Sequence, residues 1–371
     1  MSVKVGVIGG GQLARMMIPA AVNLGLDIRV FAENAGSPSA LAATAVGDYR
    51  NIEDVLRFAR EVDVVTFDHE HVPQEVLREL VAQGVALHPG PDALLYAQDK
   101  LVMRQKLSEL GVPIPEWARV DSVGELDMFL STNGGVAVVK TPRGGYDGKG
   151  VRIVRSGEDV ADWFEHVGAL LVEELVDFRR ELAQSVARNP SGEIVAWPLV
   201  ESVQRDGVCA EVIAPAPHSA GKIADVADDI ARTIAEGLGV TGVLAVELFE
   251  TTDARLLVNE LAMRPHNTGH WTIDGSTTSQ FEQHLRAALD LPLGATGVHQ
   301  PWSVMVNILG GPVGQPMETR YVGAMGDFPT AKIHNYGKES LPGRKVGHVT
   351  VIGDDLDDAC FVARAAAAHF E

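Results

Sequence analysis

Over its first hundred residues the chain alternates short apolar strands with helical stretches, and this narrows the fold more than any other feature. Strands are expected at Val3–Ile8, Ile28–Ala32 and Val64–Phe67. Helices are expected at Gln12–Leu24, Glu53–Arg60 and Pro73–Gln83, the last stopped by Gly84. Each intervening helix returns the chain to the same end of the sheet, so successive strands run parallel. The expected class is α/β, with a doubly wound parallel sheet in this first part of the chain. Pro89-Gly90-Pro91 ends that unit, and a helix from about Ala93 to Leu110 follows.

The rest of the chain reads as mixed α and β. Val136–Lys140 and Val151–Val154 are two antiparallel strands around a glycine-rich loop, followed by a helix near Val160–His166 and a strand at Leu170–Glu173. Residues 180–200 are β-rich, with a turn at Pro190-Ser191-Gly192, and Ile223–Leu238 is a helix. From about Val298 come short strands, a basic turn at Pro342-Gly343-Arg344-Lys345 and an alanine-rich terminal helix. A chain of 371 residues can hold two or three such domains.

Bulk properties exclude several classes of partner. The net charge of -19 argues against nucleic acid or an anionic membrane, but not against small anionic substrates met by a local basic cluster. No apolar run approaches the ~20 residues of a membrane span, and the N-terminus runs straight into a strand, so no leader is expected. Cys209 and Cys360 lack any metal-binding spacing and read as buried thiols of a reducing, cytoplasmic compartment.

The segment with most chemistry is VNELAMRPHNTGHW, Val258 to Trp271, where Glu260, Arg264, His266, Asn267, Thr268 and His270 follow an apolar strand. Upstream, VLAVELF carries Glu247, and a polar break centred on Asp253-Ala254 separates the two runs. A tight hairpin turn there puts Glu247 opposite Glu260 on one face, whereas a slip by one residue moves Glu260 to the other face. Two facing carboxylates repel unless a cation sits between them. Mg²⁺ bearing nucleotide phosphates meets that need, because it takes one or two protein carboxylates plus phosphate oxygens.

Two glycine-rich elements accompany this hairpin. Gly9, Gly11 and Ala14 fit the G-x-G-x-x-[GA] spacing, with Glu33 where a ribose-binding acid would sit. The motif allows NAD(P) or FAD. It also allows another anionic ligand, and doubly wound domains keep such a turn without a dinucleotide. The loop from Lys140 through Gly144, Gly145, Tyr146, Asp147, Gly148, Lys149 and Gly150 joins two strands and lacks P-loop spacing. It reads as a flexible lid over nucleotide phosphates. Leu171–Phe178 is an apolar strand running into acids, able to face an adenine with its backbone and a ribose with Glu181. His166, His218, His284 and His299 read as structural or surface residues, and Asp225, Asp228 and Asp229 as a solvated helix face.

The lid GGYDGKG, the VEE strand, VELF and NELAMRPHNTGHW occur in one order that resembles the ATP-grasp superfamily. Together with VGVIGGGQLARMM and PGRKVGHV they are similar to the N5-carboxyaminoimidazole ribonucleotide synthase (PurK) family across nearly the whole chain. The resemblance implies an ATP-grasp fold: an N-terminal Rossmann-like domain (1–98), an ATP-grasp domain (99–295, lid about 115–178) and a small β-rich C-terminal domain (296–371). It implies a ligase that carboxylates 5-aminoimidazole ribonucleotide with ATP and bicarbonate through carboxyphosphate, in purine biosynthesis. Mg²⁺ would assist, with Mn²⁺ as a substitute. A homodimer and hand-off of the product to a mutase are implied as well.

The same resemblance implies the site. Lys100, Lys140 and the lid residues Gly144 to Gly150 would contact ATP phosphates, Glu173, Glu174, Leu175 and Val176 the adenine, and Glu181 the ribose. Glu247 and Glu260 would bind the metal, with Asn259 beside them, and Arg264, Lys149 and Asp147 would serve the chemical step. Substrate recognition would fall to Gln12, Leu13, Glu70, Tyr146, Asp147, His266, Asn267 and Thr268, and its phosphate to Arg344 and Lys345. The chain departs from the family pattern at Lys100 for Arg, at Gln204 for a nucleotide-side His, at Ala262 for a metal-binding Asn of the wider superfamily, and at FDHEH for YEIEH. Alternatives are a formate-dependent glycinamide ribonucleotide transformylase, a biotin carboxylase, a nicotinamide oxidoreductase and a non-enzymatic binding protein.

Overall fold

The computed structural model describes residues 2–145, 150–205 and 207–371. Its N-terminal sheet is four-stranded and parallel, in the order Ala43–Val46, Asp27–Ala32, Lys4–Ile8, Val64–Phe67. Side chains alternate across Lys4–Ile8. Val5 and Val7 pack with Leu13, Ala14 and Met17 of the helix Gln12–Asn23, while Ile8 packs with residues of Ile52–Ala59 and Gln74–Ala82. Both faces are therefore covered, as the expected double winding requires. The edge strand Ala43–Val46 was not expected: its four residues are largely exposed, so no apolar period marks it.

A second sheet, antiparallel, runs Trp117–Val120, Leu170–Glu174, Ala137–Lys140, Val151–Val154. It has its own core, with Val120, Ala137, Val139 and Val172 packed on Leu126 and Leu130 of the helix Val123–Thr132. This separate core lets the sheet carry the glycine loop as a unit.

The third sheet has nine strands. Its path starts Leu256–Ala262, Gly242–Thr251, Phe178–Arg188, Val200–Arg205, Val208–Ala214, with Ile194–Ala196 attached to Phe178–Arg188. Leu244, Val246 and Leu248 point to the main core, against Ala227, Ile230 and Ile234 of the helix Lys222–Gly237. The opposite face of the same strand presents Glu247 and Phe249 to a cleft. The sheet then continues into the C-terminal segment through Trp302–Leu309, Lys345–Gly353 and Lys332–Asn335, covered by the helix Leu356–Ala368. Pairing of Val208–Ala214 with Trp302–Leu309 brings the basic turn at Arg344 and Lys345 to the end of the cleft. Among the described residues no helix is long and apolar enough to cross a membrane.

Candidate functional site

The expected facing of Glu247 and Glu260 is present, but the turn that produces it differs from the tight one expected. The loop is centred on Asp253: the Thr251 amide donates to the Arg255 carbonyl at 2.9 Å, and Ala254 takes a positive φ of 64°. This is the three-residue hairpin loop that ends in a left-handed residue. Next to it Glu250 faces Leu256, Phe249 faces Leu257 and Leu248 faces Val258. Continued without interruption, that register would set Glu247 against Asn259. A bulge between Leu248 and Glu247 leaves Asn259 as the extra residue, and Glu247 then faces Glu260.

The paired carboxylates lie on the floor of a cleft of about 1220 Å³, with Glu181 and Gln204 on neighbouring strands. Burial pushes the Glu247 carboxyl up to about 8, and the negative charges of Glu260 and Glu181 add to the shift. Burial and Glu260 raise Glu181 as well. Three carboxylates thus share a space, and Lys345 and Arg264 offset their charge at Glu247 only in part. Lys100 Nζ lies 4.0 Å from Glu260. Hard oxygen donors, mutual repulsion and access from the cleft fit Mg²⁺ held by Glu247 and Glu260. Among the described residues no group of three or more His, Cys, Asp or Glu is arranged to hold a metal. Mg²⁺ commonly completes its shell with phosphate oxygens and water.

The lid sheet forms the roof. Lys140, Gly144 and Gly145 line it, and Glu173 to Val176 line its edge. Lys140 Nζ lies 2.8 Å from Glu173 and 3.0 Å from Asn259 Oδ1, tying roof to floor. Burial acts to raise the Glu173 carboxyl, but Arg104 and Lys140 outweigh it and hold the group below the usual range. Glu173 therefore supports Lys140 and Arg104 with its side chain. Asp99 caps the helix Lys100–Leu110 by accepting from the amides of Leu101 and Val102 and also binds Arg143 of the lid loop at 2.9 Å. That fixes the approach of Lys100 to the cleft. Gly150 closes the loop's base, its carbonyl accepting from the Thr141 amide at 2.9 Å, and does not line the cleft. Tyr146, Asp147, Gly148 and Lys149 lie outside the described residues.

At the far end Gln12, Leu13 and Glu70 face Arg264, His266, Asn267, Arg344 and Lys345 across the cleft. Glu70 joins the two sides: it accepts from the Met263 amide at 2.6 Å and lies 3.4 Å from Arg264 Nε. Burial, then Arg264 and Lys345, depress the His266 imidazole to about 3, so it is neutral at physiological pH. Its Nε2 lies 3.6 Å from Glu247, and its Nδ1 lies 2.9 Å from the Thr268 hydroxyl. Thr268 is buried below His266 and does not line the cleft; it orients the ring. The buried Gln280 holds the same loop through the His266 amide, the His266 carbonyl and His270. Sequence reading missed Gln280, Arg104 and the cleft-lining Lys338. Only Lys338, between the basic turn and Tyr336, carried a local signal.

The glycine turn after the first strand carries its own anion. Asp68 accepts from the amides of Gly11 at 3.1 Å and Ala14 at 2.7 Å, where a dinucleotide phosphate would need to bind. A Cβ on Gly11 would lie 2.2 Å from Asp68 Oδ2, so close approach of this carboxylate accounts for the glycine. Glu33 is engaged by His69 at 3.4 Å. Of the residues expected to be structural, His284 is fully buried and joins Thr66 to the Val243 amide.

Comparison with known proteins agrees with this geometry. Family models match at residues 1–98 (ribonucleotide synthetase preATP-grasp domain), 105–281 (ATP-grasp domain) and 303–360 (phosphoribosylaminoimidazole carboxylase C-terminal domain). The N5-carboxyaminoimidazole ribonucleotide synthase of Mycobacterium tuberculosis is 50% identical over 371 residues, covering 98% of this chain and 86% of that protein. Its counterpart in Corynebacterium ammoniagenes is 48% identical over 374 residues, covering 98% and 91%. The crystal structure of N5-carboxyaminoimidazole synthase from Aspergillus clavatus, in complex with ADP and 5-aminoimidazole ribonucleotide, is similar at a TM-score of 0.89 and 33% identity, over 99% of this chain and 98% of that one.

Proposed function

The chain belongs to the N5-carboxyaminoimidazole ribonucleotide synthase family of ATP-grasp ligases, and from that premise we propose how its cleft is divided between two substrates. The enzyme forms a C–N bond, carboxylating 5-aminoimidazole ribonucleotide at the expense of ATP, in purine biosynthesis. ATP lies between lid and floor. Its phosphates meet Lys100, Lys140 and the glycine loop, its adenine follows the strand edge Glu174–Val176, and its ribose meets Glu181. Glu247 and Glu260 hold Mg²⁺, which when bound neutralises phosphate charge. The ribonucleotide lies at the far end, its phosphate on Arg344 and Lys345, its base toward Gln12, Glu70, His266 and Asn267. Guanidinium and ammonium groups suit a phosphate dianion by bidentate hydrogen bonding and point charge respectively.

In the reaction we propose, a bicarbonate oxygen attacks the γ-phosphorus and ADP leaves. The resulting carboxyphosphate sits near Arg264, whose charge stabilises the transferring group. The exocyclic amine then bonds to the carboxyl carbon, loses a proton and releases phosphate. The chain's part is positioning and charge compensation, so no covalent nucleophile is called for. The carrying observation is the facing of Glu247 and Glu260 beneath the lid. We also propose three domains at 1–98, 99–295 and 296–371, supported by the spans of the family matches and the separate core of the lid sheet. A homodimer in the cytoplasm that hands a labile product to a mutase completes the reading.

The test is an omission assay of ADP and phosphate release with ATP, Mg²⁺, bicarbonate and 5-aminoimidazole ribonucleotide. Turnover should need all four. Release with formate and glycinamide ribonucleotide, but not with aminoimidazole ribonucleotide, would overturn the substrate assignment.

A further inference from the structure

Arg104 is fully buried in the helix Lys100–Leu110, yet nothing in the proposed reaction uses it. Its three nitrogen positions are all engaged. Nε donates to Glu173, NH1 donates to the Val258 carbonyl at 3.0 Å, and NH2 donates to the Asn259 carbonyl at 2.7 Å. Consecutive carbonyls of a regular strand point to opposite edges. Two consecutive ones converging on a single guanidinium are a consequence of the bulge, and Asn259 is the residue left without an opposite number. The strand Leu256–Ala262 ends its sheet, so among the described residues this edge has no further strand to accept from or donate to. Pro113 accepts from the Val258 amide at 2.8 Å, and Arg104 takes the two carbonyls.

The side chain of the same bulged residue is held from the roof. Asn259 Oδ1 accepts from Lys140 Nζ, and Lys140 and Arg104 meet on the two oxygens of Glu173. Arg104, Glu173, Lys140 and Asn259 thus form a closed ring that grips the bulge at main chain and side chain. The bulge decides where Glu260 points. Without it, the register set by the hairpin loop carries Glu247 opposite Asn259 and turns Glu260 to the other face. We propose that Arg104 is a positioning residue that clamps the bulge at Asn259 and thereby sets Glu260 opposite Glu247 for the metal–nucleotide complex. The inference rests on the metal assignment proposed above. A lysine cannot replace the clamp, because one ammonium group lacks the planar fork that reaches both carbonyls and Glu173 at once.

The test uses the full chain with Arg104→Lys, which keeps the charge, and reads nucleotide binding rather than turnover. ADP binding without metal should stay within about twofold of wild type. Binding of Mn²⁺ in the presence of ADP, followed by electron paramagnetic resonance, should weaken by about tenfold or more, the usual scale for removing the support of a metal ligand. Unchanged Mn²⁺ affinity in a folded Arg104→Lys protein overturns the proposal. Glu260→Gln is measured in parallel. If it leaves Mn²⁺ binding intact, the metal assignment itself fails. If it abolishes Mn²⁺ binding while Arg104→Lys does not, only the clamp fails. Should Arg104→Lys not fold, nitrogen NMR of the wild-type protein decides: restricted rotation of the Arg104 guanidinium is expected, and free rotation refutes the clamp.

Discussion

Two glycine- and acid-rich elements in this molecule look alike as sequence and behave oppositely as structure. At the turn after the first strand, Asp68 fills the helix N-terminus and Glu33 lies against His69, so both acids are already engaged within the protein. At the hairpin, Glu247, Glu260 and Glu181 face one another, and Glu247 is driven up to about 8 by burial and its neighbours. A site built for an external ligand is left electrostatically incomplete, whereas a structural turn completes itself. The comparison separates the two motifs better than spacing does, since the glycine turn satisfies the dinucleotide pattern and its charge balance leaves no place for the pyrophosphate.

The largest effect should come from the incomplete site. Glu260→Gln should lower Mg²⁺-dependent ADP release by about a thousandfold while circular dichroism and the melting transition stay close to wild type. Turnover near the wild-type level would place the metal elsewhere and erase the contrast. Next, Lys345→Ala should raise KM for the ribonucleotide by about tenfold, as expected for loss of one charge-assisted contact, with KM for ATP moved by less than about twofold. A change confined to the ATP term would move the phosphate of the ribonucleotide away from the basic turn.

What could be read from the sequence divides along the same line. The parallel sheet, the lid strands and the facing of Glu247 and Glu260 were legible because each depends on local period or on residues within one hairpin. Even there the right pairing came from two departures that cancel, a three-residue loop and a bulge. Arg104 was not legible: in KLVMRQKLSEL it looks like any exposed helix arginine, and only tertiary packing buries it. Nor was Asp68, whose role depends on a helix 54 residues earlier in the chain. The continuity of the central sheet into Trp302–Leu309 was hidden for the same reason, as no local signal specifies a partner so far away in sequence.

The self-completed turn supplies the smaller tests. Asp68→Ala removes the acceptor for two helix amides and should cost about 1 kcal/mol of stability in urea unfolding, within the usual range for a lost N-cap. An unchanged midpoint would mean that the Asp68 carboxylate contributes nothing there. The smallest effect concerns Glu33. The His69 imidazole, 3.4 Å away, holds the Glu33 carboxyl near 2, against burial that would raise it. A depressed carboxylate gives stability that is fully present above its unfolded value of 4.5 and is lost as pH falls toward 2. Glu33→Gln should therefore flatten the acid limb of the stability curve between those pH values and lower stability slightly at neutral pH, where the wild-type contribution is fully present but small because the group is partly solvated. If Glu33 were instead kept for a ribose hydroxyl, its replacement would leave the acid limb unchanged and weaken nucleotide binding. The two outcomes move different measurements, so the pair separates a turn that balances its own charge from one that waits for a ligand.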